Sequence, residues 1–175
     1  PMNQDLGSSF RALLTQKLAD SLAAPLPAFT ARRVHGTLSL PGKATAVIGM
    51  RRTGKTSFLR QLVSERRETA PPERVLLLSF EDDRLADLKA DQLALLLEEY
   101  YRRYPEVRGN QTVHWFLDEI QMVPGWERFV RRVLDSERVE IVVSGSSARM
   151  LSREVHTSLR GRGMETVISP FSFRE

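Results

Sequence analysis

The chain has 175 residues, of which 41% are hydrophobic and 27% charged, and this is the size and composition of one globular domain with a full core. It contains no cysteine, which excludes disulfides and thiolate metal sites, and its three histidines form no metal-ligand motif. The formal net charge of +4 permits contact with nucleic acid but does not require it. No apolar run approaches the roughly 20 residues of a membrane span, and no secretory leader is visible. We therefore expect a cytoplasmic protein without a membrane partner.

Helical and apolar strand patterns alternate along the chain. Apolar residues at helical spacing predict an amphipathic helix over 9–23, capped by Ser8 or Ser9 and ended by Pro25 and Pro27. Short apolar runs predict five strands, at residues 44–48, 75–80, 113–117, 139–143 and 166–168. Further helices are predicted after residue 56, after a cap at Asp91, and over 126–134. This alternation is typical of an α/β protein, with a mostly parallel five-stranded sheet between two layers of helices.

The first predicted strand leads into a glycine-bounded loop. Residues 49–56 read Gly-Met-Arg-Arg-Thr-Gly-Lys-Thr and match the phosphate-binding pattern G-x-x-x-x-G-K-[ST] at every fixed position. Glycines let backbone N–H groups surround a triphosphate, and the following helix directs its positive dipole end at it. Lys55 would contact the β- and γ-phosphates, and the Thr56 hydroxyl would bind Mg²⁺. The predicted nucleotide-binding residues are Gly49, Arg51, Arg52, Thr53, Gly54, Lys55, Thr56 and Ser57. A chance glycine turn is the alternative, but the strand, the loop and the helix all agree with the motif.

Two acidic residues follow the third predicted strand. Asp118 would meet the Mg²⁺ bound by Thr56, and Glu119 would orient and activate the attacking water. Taken alone, an apolar run that ends in two acids fits a solvated acidic turn equally well. Because it lies 63 residues after Lys55 with one strand between, it predicts a site for ATP and Mg²⁺.

Two weaker features could complete such a site. The fourth predicted strand runs into Ser144 and Ser146, and either hydroxyl could hydrogen-bond the attacking water or the γ-phosphate. A turn with a helix cap explains these serines equally well. Arg160 or Arg162 could stabilise transition-state charge in cis, or in trans from a neighbouring subunit of a homo-oligomer. A solvated basic turn is the alternative. The predicted catalytic residues are thus Lys55, Glu119, Ser144, Ser146, Arg160 and Arg162.

Several segments together resemble a known family. Residues 49–56, the run Asp-Glu-Ile-Gln at 118–121, Gly-Ser-Ser-Ala at 145–148, Leu-Arg-Gly-Arg at 159–162 and the last seven residues are similar to the AAA+-type ATPases of bacteria and archaea called AAA domain family fourteen. The resemblance implies a P-loop core of the additional-strand (RecA/AAA+-like) type, with a further strand between the strands of the two nucleotide motifs. The resemblance runs from about residue 30 to the end and does not explain the region before the P-loop. The Pro-containing stretch at 24–28 is the candidate linker, so we expect an N-terminal helix and linker at 1–28 and an ATPase domain at 29–175. Family members usually continue into a second domain, and we expect this chain to be the ATPase domain without it.

These features favour an enzyme that binds ATP and Mg²⁺ and hydrolyses ATP. We expect hydrolysis to be coupled to movement of a protein or nucleic-acid partner or of a C-terminal domain. A slowly turning ATP-gated switch is one alternative, and Glu119 argues against it because a switch needs no water-activating acid. A nucleic-acid-associated module is another, since aromatic and arginine residues interleave at 100–104. The helical stripe that would bury Tyr100 and Tyr104 argues against that module.

Overall fold

The fold is an alternation of helices and parallel strands. A computed structural model of the chain describes residues 2–23, 44–48, 54–146, 159 and 164–168. The α-helices are α1 (Met2–Ala23), α2 (Lys55–Arg67), α3 (Ala94–Arg103) and α4 (Trp126–Ser136). The strands are β1 (Ala44–Ile48), β2 (Val75–Ser79), β3 (Val113–Asp118), β4 (Val139–Gly145) and β5 (Met164–Ile168). Within the described part of the chain, no helix is both long enough and apolar enough to span a bilayer.

The sheet has the strand order β2-β3-β4-β1-β5, and every neighbouring pair is parallel. Strand β4 lies between β1 and β3, where the family resemblance places an additional strand. The carboxyl ends of parallel strands meet at one edge of a sheet, and Ile48 pairs with Gly145 while Leu117 pairs with Val143. The register therefore brings the ends of β1, β4 and β3 together.

Helices cover both faces of this sheet. Alternate residues of β3 face opposite layers, so Trp115 and Leu117 belong to one buried cluster and Phe116 to the other. The first cluster is closed by residues of α1, α3 and α4, and the second by Phe58, Leu59, Leu62 and Val63 of α2. Four of the six residues of β3 are hydrophobic and all six are buried, as expected for a strand covered on both faces. The molecule is thus a three-layer α/β/α structure.

Helix α1 begins earlier than the sequence pattern predicts. It starts at Met2, so the predicted cap residues Ser8 and Ser9 lie inside the helix, and that prediction is wrong. Residues 2–7 contain few apolar side chains, so the pattern that marks a buried face is absent there. The predicted stripe is confirmed from Phe10 onwards, and it packs α1 against α3 and β2.

Other element boundaries also differ from the predictions. Asp91 does not cap α3, because it lies within a 3₁₀ turn (Ala90–Leu93) and the α-helix begins only at Ala94. Strand β4 continues through Ser144 and Gly145, since its pairing with β1 extends to the end of that strand. Ser144 is therefore a strand residue, and the interpretation of it as a turn or helix cap is wrong.

Candidate nucleotide site

The start of α2 carries the described part of the phosphate loop. Gly54 precedes the helix with φ 78° and ψ 22°, a left-handed conformation that glycine adopts without steric cost. Its carbonyl accepts from Phe58 N–H at 2.9 Å and so begins the helix. No side chain caps the described start of α2, and its first turn contains no acidic residue. The first backbone N–H groups of α2 and its positive dipole end therefore meet no negative side chain of the helix itself.

Thr56 and Asp118 join α2 to the end of β3. The Thr56 hydroxyl donates to Asp118 Oδ2 at 2.8 Å, and the Ser144 hydroxyl donates to Oδ1 at 2.5 Å. Asp118 is 3% exposed. Burial raises the pKa of Asp118 above its usual value, although the hydrogen bonds from Ser144 and Thr56 partly offset this. The carboxylate is thus fixed in orientation and held where a cation would stabilise it.

Glu119 has an unusual backbone conformation. Its φ of 54° and ψ of 43° are left-handed, and it is the only non-glycine residue of the described chain with positive φ. Such a conformation costs about 1–3 kcal/mol and persists only when surrounding contacts enforce it. Here the Glu119 N–H donates to Ser144 Oγ at 3.0 Å, and its carbonyl accepts from Met122 N–H at 3.1 Å. The backbone strain falls on the residue predicted to activate water.

The two carboxylate oxygens of Glu119 have different partners. Oε1 lies 3.6 Å from Lys55 Nζ, and these side chains are 16% and 4% exposed. Oε2 accepts a hydrogen bond from Gln121 Nε2. Sequence reasoning missed Gln121, whose only signal was its place in the Asp-Glu-Ile-Gln run.

Of the remaining predicted residues, three lie in the described part of the chain and six lie outside it. Ser57 is half-buried in the first turn of α2, and Ser146 is half-buried one residue after β4. Ser144 is fully buried, with its hydroxyl bonded to both Asp118 and Glu119. Six predicted residues lie outside the described part of the chain: Gly49, Arg51, Arg52, Thr53, Arg160 and Arg162.

The donor atoms at this site suit a hard cation that is shared with a ligand. Asp118 and Thr56 offer a carboxylate and a hydroxyl oxygen, which are the ligand types that Mg²⁺ prefers. The described residues contain no cluster of three or more acidic, histidine or cysteine side chains that could hold a metal. Mg²⁺ is commonly bound by one or two protein oxygens together with waters and phosphate oxygens, so this small donor set fits a magnesium–nucleotide complex.

Similar proteins are found in archaea and bacteria. The uncharacterized protein MJ1544 of Methanocaldococcus jannaschii is 38% identical over 136 residues, which are 78% of this chain and 28% of that protein. An uncharacterized protein of Haemophilus influenzae is 34% identical over 131 residues, 74% of this chain and 32% of that protein. This chain therefore spans less than a third of the length of either relative. Among solved structures, C. elegans PCH-2 is similar over 95% of this chain and 43% of that one, with a TM-score of 0.45 and 12% identity.

The family model described as AAA domain matches residues 41–175. The chain therefore belongs to this family of AAA-type P-loop ATPase domains, as its sequence motifs indicated. Helix α1 lies before the matched residues.

Proposed function

We propose that this domain binds ATP with Mg²⁺ and hydrolyses the γ-phosphate bond. One arrangement carries the proposal: Thr56 at the start of α2 is hydrogen-bonded to the buried Asp118, and the next residue, Glu119, faces Lys55. Three groups thus lie at one edge of the sheet: the Thr56–Asp118 pair that would bind Mg²⁺, the Lys55 ammonium that would bind phosphate, and the Glu119 carboxylate. Nucleotide binding needs only the first two, while hydrolysis also needs the third.

Each residue would have a separate task in the reaction. Lys55 would leave Glu119 for the β- and γ-phosphates, because a triphosphate offers more negative charge than one carboxylate. Glu119 would then accept a proton from a water as that water attacks the γ-phosphorus and the bond to ADP breaks. Asp118 and Thr56 would hold Mg²⁺, which when bound neutralises charge on the phosphate oxygens. The products are ADP, phosphate and the proton on Glu119.

Further predicted residues, most of them outside the described part of the chain, extend the proposal. Backbone groups and side chains at Gly49, Arg51, Arg52 and Thr53 would surround the phosphates, and Ser57 would add a contact from α2. Arg160 or Arg162 would stabilise transition-state charge in cis or from a second subunit, and Ser146 would orient water or report loss of the γ-phosphate. We also propose that hydrolysis drives a conformational change in a partner or in a C-terminal domain.

Phosphate release and ATP binding by the wild type and three variants test the reaction. The wild type should release phosphate only with Mg²⁺, Lys55→Ala should lose ATP binding, and Glu119→Gln should bind ATP without turnover. Glu106→Gln is the matched control, because Glu106 is exposed after α3. Normal turnover by Glu119→Gln would reject the water-activating role. A wild type that binds ATP without releasing phosphate would favour the slow switch.

The nucleic-acid module has less support than the ATPase. Tyr100 and Tyr101 are 0% and 5% exposed, so neither ring is available to stack on a base. The Tyr100 hydroxyl donates to the carbonyl of Glu73, and the ring lies edge-on to Trp115. Burial raises the pKa of Tyr101 to about 12, as expected for a phenol inside the core. Arg102 and Arg103 are exposed and would supply only a salt-sensitive phosphate contact.

A further inference from the structure

Gln121 lies two residues after Glu119 on a one-turn 3₁₀ helix (Ile120–Met122). Consecutive residues of a regular strand or helix point in different directions, and an i, i+2 pair on a helix does not share a face. The left-handed conformation of Glu119 turns the chain at this point. As a result, Gln121 reaches back and donates from Nε2 to Glu119 Oε2.

This contact fixes which carboxylate oxygen faces the phosphate site. Lys55 lies at the proposed phosphate site, and Glu119 Oε1 is the carboxylate oxygen 3.6 Å from Lys55 Nζ. The Gln121 amide holds the other oxygen, Oε2, on the side of the turn. Oε2 is therefore bound by the neutral Gln121 amide, which a triphosphate does not attract. Oε1 is bound by the Lys55 ammonium, which a triphosphate does attract.

The two partners of Glu119 differ in what a nucleotide does to them. Lys55 would move to the phosphates, which would leave Oε1 with an open lone pair. Gln121 is uncharged and partly buried, so it has no comparable reason to move. A general base must lie about one hydrogen bond from the water it activates, and a free carboxylate rotamer would spend much of its time elsewhere.

We propose that Gln121 is a positioning residue that keeps the Glu119 carboxylate aimed at the attacking water after Lys55 has moved to the phosphates. This inference rests on the proposed ATPase function. It predicts a defect in kcat with little change in ATP affinity, since Gln121 touches the base rather than the nucleotide. A residue that only stabilises the fold would lower the amount of folded protein and leave the kcat of the folded fraction unchanged.

The experiment measures kcat, KM, the Kd for ATP and the unfolding midpoint of the 175-residue chain and its variants. Gln121→Met keeps the side-chain length but cannot donate, and Gln121→Glu keeps the shape while replacing the donor by an acceptor. Both should lower kcat about 10-fold or more, a part of the 10²–10⁴-fold contribution of a general base, with Kd and KM within about twofold of the wild type. Met122→Ala is the control, because Met122 belongs to the same turn and is 52% exposed.

Double variants separate positioning from other roles. In a Glu119→Gln background, which should not turn over, Gln121→Met should leave the Kd for ATP within about twofold, because Gln121 contacts Glu119 and not the nucleotide. A kcat of Gln121→Met or Gln121→Glu within twofold of an active wild type would overturn the inference and leave the proposed function standing. Parallel losses of ATP affinity and kcat would also overturn it. Absence of phosphate release from the wild type would instead reject the proposed function, and the inference with it.

Discussion

The Ser144 hydroxyl of β4 donates to Asp118 Oδ1 at 2.5 Å at the end of the neighbouring strand β3. Ser144 Oγ in turn accepts a hydrogen bond from the backbone N–H of Glu119 at 3.0 Å. One fully buried hydroxyl thus fixes the proposed magnesium carboxylate and the strained backbone of the proposed base. The position of Ser144 at the end of β4 is what makes this contact available, since β4 separates the phosphate-loop strand β1 from β3.

Replacing Ser144 by alanine should therefore affect both stability and the site. The variant leaves the Glu119 N–H without its acceptor and removes one donor from a buried carboxylate. We expect the free energy of unfolding in urea to fall by about 1–3 kcal/mol, the usual cost of an unsatisfied buried polar group. Ser136→Ala is the matched control, because the Ser136 hydroxyl bonds only to the carbonyl of Arg132 on the exposed end of α4. Equal losses in the two variants would contradict the role given to Ser144.

Asp118 should make stability depend on pH in a direction opposite to most carboxylates. Burial raises its pKa, so the folded protein binds this proton more tightly than the unfolded chain does. Its contribution to stability is therefore complete below the ordinary pKa of about 4 and is lost as pH rises through the raised value. Asp118→Asn cannot ionise, so it should become more stable than the wild type as pH rises towards neutral.

Thermal unfolding of Asp118→Asn and wild type across this pH range checks the sign. At pH 7 we expect the variant to melt at a higher temperature than the wild type, because it carries no buried charge at this position. Added Mg²⁺ and ATP should raise the midpoint of the wild type more than that of the variant. The exposed Asp87→Asn serves as the control. A variant that melts below the wild type at neutral pH would show that burial of this charge carries no net cost.

Much of the fold could be predicted because its signals are local. Strand β1 was predicted with its exact limits, and the apolar stripes of α1 and α2 identified buried residues, although Leu13 and Leu22 of α1 are only partly buried. The length of β4 could not be predicted, because Ser144 and Gly145 are strand residues only through their pairing with β1. Local propensity favours a turn there, and tertiary pairing outweighs it.

The residues of the site could likewise be predicted from local sequence, but their contacts could not. Lys55, Thr56, Asp118 and Glu119 were predicted from motif spacing, and the described structure brings these four together. The contact of Gln121 with Glu119 depends on a left-handed backbone at a glutamate, which no sequence pattern indicates. The buried state of the Ser144 hydroxyl likewise depends on the order of strands in the sheet. Local patterns thus identify the groups, while tertiary register decides their partners.

The last turn of helix α1 contacts β2, which is the outermost strand on that side of the sheet. Leu77 N–H in β2 donates to Ser21 Oγ at 3.0 Å. Arg67 of α2 donates to the carbonyls of Ser21 at 3.0 Å and Val75 at 3.2 Å. Exposed edge strands invite pairing with other chains, and here Ser21 and Arg67 occupy the N–H of Leu77 and the carbonyl of Val75.

Substitutions in α1 should therefore destabilise the whole domain. We expect Leu14→Ala, at a position 1% exposed in the main core cluster, to lower the free energy of unfolding by about 2–5 kcal/mol. Ser21→Ala should cost about 1 kcal/mol by leaving the Leu77 N–H unpaired, and the exposed Ser9→Ala should cost less than about 0.5 kcal/mol. Urea unfolding followed by tryptophan fluorescence reports on the sheet, since Trp115 is in β3. If residues 1–28 formed a separate unit, Leu14→Ala would leave this transition unchanged. A shifted single transition would make α1 part of the ATPase domain, because its core face and the sheet then unfold as one cooperative structure.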